Sequence, residues 1–191
     1  MVLFVNGCVR KNSRTLELAH AVLENIPDEM EEIRLYPDGP EGLTEQTLNL
    51  RDELLAAKQY DHPMFRFAKQ FAAADTIVMA APYWDLAFPT KIRAYLEEIT
   101  ASGITFRYGP DGFPRGLCRA KRLIYVTTAG GPIVQNFGFA YVKTLAQLFY
   151  GIPEALLVKA EGLDMGNANS DEILAQAKQS IPAILKGQSN V

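Results

Sequence analysis

Two kinds of apolar run alternate along this chain: short unbroken segments, and longer ones whose apolar residues recur three or four apart. Val2 to Val5 is unbroken and closes on Asn6-Gly7, the pattern of a strand buried on both faces. Leu16, Ala19, Val22, Leu23 and Ile26 then recur at helical spacing up to Pro27, which ends the helix. The same alternation continues. Ile33 to Tyr36 predicts a weaker second strand, and Leu43 to Tyr60 predicts a helix behind a Pro/Gly-rich entry. Phe65 to Ala74 is again helical in period, and Asp75 to Ala81, closed by Pro82, predicts the central strand. Pro89 to Ser102 predicts a helix with proline in its first turn, where the missing N–H costs nothing. Tyr108 to Gly116 is rich in turn residues and reads as a loop. Arg122 to Thr128 predicts a strand, Phe139 to Tyr150 a helix, Ala155 to Lys159 a last strand, and Ser170 to Leu185 a terminal helix with Ser170 as its N-cap.

Five strands separated by helices pair in parallel, because only crossover connections return the chain to the same end of a sheet. The expected architecture is α/β: a flavodoxin-like three-layer sandwich whose five-stranded parallel sheet runs in the order 2-1-3-4-5. At 191 residues, with no internal repeat, low-complexity tract or linker, residues 1–191 are expected to form one domain. In such a sheet ligands bind beyond the carboxyl ends of the strands, where the order reverses between strands 1 and 3. The loops to read for chemistry are therefore 6–15, 82–90 and 128–138.

Charge and composition narrow the partners. The 19 basic and 22 acidic residues give a net charge of −3, and no stretch gathers the basic ones into a stripe, so nucleic acid is not an expected partner. No segment approaches the roughly 20 apolar residues that span a bilayer, and the first residues run into a turn with no charged leader. A cytoplasmic protein that avoids membranes is expected. Cys8 and Cys118 form no metal-ligand pattern with His20 and His62, so free thiols and no metal are expected.

The first of these loops, Asn6-Gly-Cys-Val-Arg-Lys-Asn-Ser-Arg-Thr15, brings amides, the hydroxyls of Ser13 and Thr15, and the cations Arg10, Lys11 and Arg14 to a helix N-terminus. Orphan amides and the helix dipole both favour an anion there, and each charge-assisted hydrogen bond contributes about 1.5–3 kcal/mol. Simple capping by Ser13 or Thr15 accounts for the same hydroxyls. Neither G-x-x-x-x-G-K-[ST] nor G-x-G-x-x-G is present, which argues against a P-loop or a dinucleotide Rossmann domain. Cys8, five residues, Arg14 and Thr15 match the C-x5-R-[ST] cradle of the low-molecular-weight cysteine phosphatases, in which a thiolate attacks phosphorus. Against that stand the missing late Asp-Pro acid and a loop interior poor in glycine.

Pro82-Tyr-Trp-Asp-Leu-Ala-Phe-Pro-Thr90 puts Tyr83, Trp84 and Leu86 at the end of a buried strand, suited to a flat aromatic ligand or equally to core or dimer contact. Thr127-Thr-Ala-Gly-Gly-Pro132 ends the fourth strand with Gly130 and Gly131, which permit close backbone approach to a ligand or make a plain turn. A phosphate cradle, an aromatic ledge and a glycine approach at one end of one sheet suit FMN better than any single loop does.

On these residues the chain resembles the FMN-dependent NADH-azoreductase and NAD(P)H:quinone oxidoreductase family. The matching segments are Asn12 to Thr15, Ala81 to Lys91, Gly103 to Tyr108 with Gly116, Thr128 to Gly131, Tyr150 to Ile152 and Ala160 to Leu163. They run in order over most of the chain, and residues 37–62 carry little of the likeness. The resemblance implies that Ser13 and Thr15 hold the FMN phosphate, and Arg10, one of the loop's cations, is a further candidate for it. It sets Tyr83, Trp84, Asp85 and Leu86 along the isoalloxazine, and Thr128, Gly130 and Gly131 at its pyrimidine edge; Pro82 and Ala129 in the same loops are further candidate cofactor contacts. Phe106 and Tyr108 resemble the lid of a substrate pocket, with Phe149 a pocket aromatic. It further implies NADH or NADPH as donor, a quinone or azo acceptor, ping-pong two-electron transfer through the flavin with no protein nucleophile, and a homodimer. Three departures stand out: Asp85 where many relatives have Asn, Ala129 where some have Arg, and Cys8 where Ser is common. An electron-carrying flavodoxin and a fold relative without cofactor are the non-enzymatic rivals; the first is usually strongly acidic, which this chain is not.

Overall fold

The computed structural model describes residues 1–187. Its main sheet has five parallel strands, β1 (Val2–Asn6), β2 (Met30–Arg34), β3 (Thr76–Ala80), β6 (Arg122–Thr128) and β7 (Glu154–Ala160), in the order β2-β1-β3-β6-β7. Two short strands, β4 (Phe106–Tyr108) and β5 (Pro114–Gly116), form a separate antiparallel pair. Set aside that pair and the order is the expected 2-1-3-4-5.

Alternation along the strands builds two cores. Val2, Phe4, Val78, Ala80, Ile124 and Val126 meet Leu18, Ala19 and Val22 of α1 (Arg14–Glu24) and Leu174 and Ile181 of α6 (Ser170–Leu185). Leu3, Val5, Ile77, Met79, Leu123 and Tyr125 face the other way. They meet α3 (Arg66–Ala73), α4 (Thr90–Ile99) and α5 (Phe137–Leu145) through Phe71, Tyr95 and Val142. A strand covered on both faces needs no polar alternation, which is why β1 and β3 read as continuous apolar runs.

Four local expectations change. The second strand is Met30–Arg34, not Ile33–Tyr36, since its register pairs Val2 with Met30 and Asn6 with Arg34. It is an edge strand on which only Ile33 is buried, so the apolar pattern marks its end rather than its body. Tyr108 to Gly116, expected as a loop, is part of the β4–β5 hairpin, closed where the Gly109 amide donates to the Phe113 carbonyl at 2.8 Å. The cap of α6 is Asn169, whose side chain accepts from the Glu172 amide, and Ser170 is the first helical residue. The helix after β6 starts at Phe137 and ends in a π-helical turn, Ala146–Tyr150, before Gly151. The remaining helix, α2 (Glu45–Ala56), is opened by reciprocal hydrogen bonds between Thr44 and Thr47. No described helix is long and apolar enough to cross a membrane.

Candidate functional site

β1 and β3 are neighbours, yet the chain leaves β1 toward β2 and leaves β3 toward β6, so the loops beyond their carboxyl ends part. A cleft of about 280 Å3 opens there, lined by Arg10, Ser13 and Thr15 on one side and Pro82, Tyr83 and Trp84 on the other, with Thr128 and Gly130 between.

The first wall is the start of α1. Ser13 has extended backbone and its hydroxyl accepts from the Leu16 amide at 3.4 Å, capping the helix. The first amides of α1 have no intrahelical acceptor, and the helix dipole adds partial positive charge. Thr15 is buried, and its hydroxyl shares a 2.6 Å hydrogen bond with that of Thr128. This contact ties α1 to the end of β6. Thr15→Val leaves the buried Thr128 hydroxyl without its partner, so an expected cost of about 1–3 kcal/mol should lower the chemical denaturation midpoint. An unchanged midpoint would contradict that role.

The second wall is a tight turn. The Ala87 amide donates to the Trp84 carbonyl at 2.8 Å, and Asp85 (φ 49°) and Leu86 (φ 67°) between them lie in the left-handed region. Aspartate tolerates that region, whereas leucine there costs of order 1–3 kcal/mol, strain that gathers at ligand sites. The turn is held by the Phe137 amide, which donates to the Leu86 carbonyl at 3.0 Å, and by the Tyr83 hydroxyl, which donates to the Gln135 carbonyl at 2.9 Å. Trp84 and Leu86 remain 45% and 47% exposed, an apolar ledge kept out of the core by its own backbone.

Between the walls, the loop after β6 is laced to the loop after β7. The Leu163 amide donates to the Ala129 carbonyl, the Asp164 amide to Gly130 and the Gly162 amide to Gly131, at 3.2, 2.8 and 3.0 Å. Arg14 meets Asp164 in a fork, Nη1 to Oδ1 at 2.8 Å and Nη2 to Oδ2 at 3.0 Å. This hydrogen bond from Arg14 holds the Asp164 carboxyl below the usual carboxylate range. A methyl group on Gly130 would collide with the Asp164 carboxylate, so this glycine makes room for a protein side chain.

Of the sequence-predicted cofactor residues, Arg10, Ser13, Thr15, Pro82, Tyr83, Trp84, Thr128 and Gly130 line the cleft. Asp85 and Leu86 form the adjoining turn, Ala129 is buried behind it, and Gly131 follows. Val9, Asn12, Arg14 and Asp164 line it as well. The rule that points to the carboxyl ends of strands also covers the loop after the last strand, and that loop supplies Asp164.

Phe106, Tyr108 and Phe149 lie elsewhere in the chain. Their rings pack together, Phe106 at 5.3 Å from Tyr108 and 5.1 Å from Phe149 between centroids. α4 starts at the carboxyl end of β3 and runs back. The segment that follows is rooted where β3 and β6 begin, with the Arg119 and Lys121 amides donating to the Ala72 and Asp75 carbonyls. The hairpin thus stands at the opposite end of the sheet from the cleft.

The phosphatase alternative is not supported. Burial pushes the Cys8 thiol up to about 11, against a hydrogen bond with Ser13 that lowers it, so it stays protonated and is a poor nucleophile. Arg14 is engaged by Asp164. Among the described residues no group of three His, Cys, Asp or Glu could hold a metal ion.

Comparison with known proteins agrees with this fold. The family described as flavodoxin-like fold matches residues 1–185. An FMN-dependent NADH:quinone oxidoreductase 2 of Clostridium acetobutylicum is 32% identical over 173 residues, 85% of each chain. An FMN-dependent NADH:quinone oxidoreductase of Coprothermobacter proteolyticus is 29% identical over 97% of this chain and 98% of its own. Among solved structures, an azoreductase from Bacillus anthracis superposes with a TM-score of 0.83 at 22% identity, covering 97% of this chain and 98% of that one. The chain therefore belongs to the flavodoxin-like fold family, among the relatives of the FMN-dependent NADH:quinone oxidoreductases.

Proposed function

We propose that the cleft holds FMN and that residues 1–191 act as one FMN-binding domain, an FMN-dependent NAD(P)H oxidoreductase that reduces quinones and azo compounds. The division of the cleft carries this reading: an anion cradle at the start of α1 faces an apolar aromatic ledge, with polar backbone between them. FMN is a phosphate, a flat ring and a polar ring edge, and the residues present fit it in that order. FMN held there would supply the redox chemistry, two-electron ping-pong transfer from NADH or NADPH to the acceptor.

The chain's own groups bind and orient. Ser13, Thr15, the first amides of α1 and Arg10 hold the phosphate. Pro82, Tyr83, Trp84 and Leu86 pack along the ring and exclude water from one face. Thr128, Ala129, Gly130 and Gly131 face the pyrimidine edge. Asp85 brings two acceptor oxygens where an asparagine brings one and an N–H donor, which favours ring edges and electron acceptors that supply their own N–H or O–H.

A homodimer completes the site. Phe106, Tyr108 and Phe149 are rooted at the far end of the sheet from their own cleft, so the lid over each flavin comes from the second copy. Mixing a Ser13→Asp protein with a Tyr108→Ala/Phe149→Ala protein is expected to recover about a quarter of the unsubstituted activity, because half of randomly assorted symmetric dimers carry one intact site of two. No recovery would place lid and cleft in one chain. With Cys8 and Cys118 free, the cytoplasm is the expected compartment.

The direct test is NADH oxidation by FMN-loaded protein with and without benzoquinone. Quinone-dependent turnover is expected, and a loaded protein that leaves NADH untouched would overturn the enzymatic reading.

A further inference from the structure

The Arg14–Asp164 fork joins two residues 150 positions apart, and both line the cleft. Arg14 Nη1 also reaches the Leu163 carbonyl at 3.3 Å. Through the hydrogen bond that the Asp164 amide donates to the Gly130 carbonyl, the fork links the first turn of α1 to the loop after β6. Taking the FMN reading as its premise, we propose that Arg14 and Asp164 are a positioning pair, a clasp that sets the distance between the phosphate cradle and the loop at the polar ring edge. Arg14 on this account is not a phosphate ligand.

Three observations carry the assignment. The fork uses both terminal nitrogens of Arg14 on both oxygens of Asp164, the geometry in which an arginine is committed to one carboxylate. Asp164 cancels the charge of Arg14 beside the cradle, so the phosphate meets α1 amides, hydroxyls and Arg10 rather than a free guanidinium. Gly130 has space for the carboxylate only because it lacks a Cβ.

The two roles for Arg14 predict opposite signs at its partner. If Arg14 bound phosphate, removing the negative charge of Asp164 would free it and tighten FMN. A clasp instead loosens when either half is lost. The test is FMN titration of apoprotein, followed by flavin fluorescence, for Asp164→Asn, Arg14→Ala, their double variant and Arg14→Lys. Each single variant is expected to raise the Kd for FMN about tenfold (~1.4 kcal/mol), with the double no worse than either single. Lysine should not rescue, because a point charge cannot reproduce the fork. Gly130→Ala, which keeps both charges but displaces the carboxylate, should weaken binding similarly. The visible absorption band of bound FMN should shift in these variants, since the released loop lies along the ring edge. The melting temperature of the apoprotein should move little, because a pair this exposed adds little to folding.

Tighter FMN binding by Asp164→Asn, rescue by Arg14→Lys, additive losses in the double variant or an unchanged Kd would each overturn the clasp. An unsubstituted protein that binds no FMN would instead overturn the functional reading beneath it.

Discussion

Ser13→Asp is expected to weaken FMN binding by a factor of roughly a hundred to a thousand while leaving the fold at least as stable. Aspartate caps a helix as well as serine does, and a carboxylate is favoured at a helix N-terminus. Ser13 has the extended backbone of a cap and lines the cleft, so the substitution suits α1. The same carboxylate would stand where the phosphate must sit. Two like charges about 4 Å apart repel by about 4 kcal/mol at an effective dielectric near 20, close to a thousandfold in affinity before screening. Flavin titration and thermal melts on the same preparation separate the two effects. Unweakened binding would move the phosphate elsewhere, and a collapsed melting temperature would contradict the capping geometry.

Gly116→Ala is expected to cost about 3 kcal/mol or more, lowering the melting temperature by roughly 6–12 °C for a chain of this size. Its Cβ would fall on the Gly151 nitrogen and the Tyr150 carbonyl, where β5 crosses the end of the π-helical turn. All of those atoms are backbone, so no rotamer change relieves the collision. If the hairpin covers the partner's cleft, quinone turnover at saturating FMN should fall along with stability. A melting curve that superposes on that of the unsubstituted protein would show that the hairpin does not press on the turn as closely as described.

The parts of the fold legible in the sequence were those buried on two faces. β1, β3 and β6 carry unbroken apolar runs, Val2–Val5, Ile77–Ala80 and Leu123–Val126, because helices cover both sides of them. The edge strand β2 starts three residues and ends two residues before the apolar pattern does, because Glu31 and Glu32 interrupt it and its first apolar side chain, Met30, is exposed. The β4–β5 hairpin was hidden for a related reason. It is three residues to a strand, two of the six are glycine or proline, and only Phe106 is buried. At the cleft, the aromatics are legible because they follow β3 closely, and Ser13 and Thr15 because they open α1. The Arg14–Asp164 pair was not, since nothing local at either residue announces a partner 150 positions away. For the same reason Gly130 read as a place for ligand approach, whereas its missing side chain admits Asp164.

One measurement decides whether the cleft between Ser13 and Trp84 is the FMN site proposed above. Titrating apoprotein with FMN and following both flavin fluorescence and the melting temperature tests it most directly. Saturation at one FMN per chain is expected. At a free concentration a hundred times Kd, FMN should add about 2.7 kcal/mol of stability, a rise of roughly 5–11 °C. A protein that stays colourless after dialysis against FMN, with an unmoved melting temperature, would contradict it.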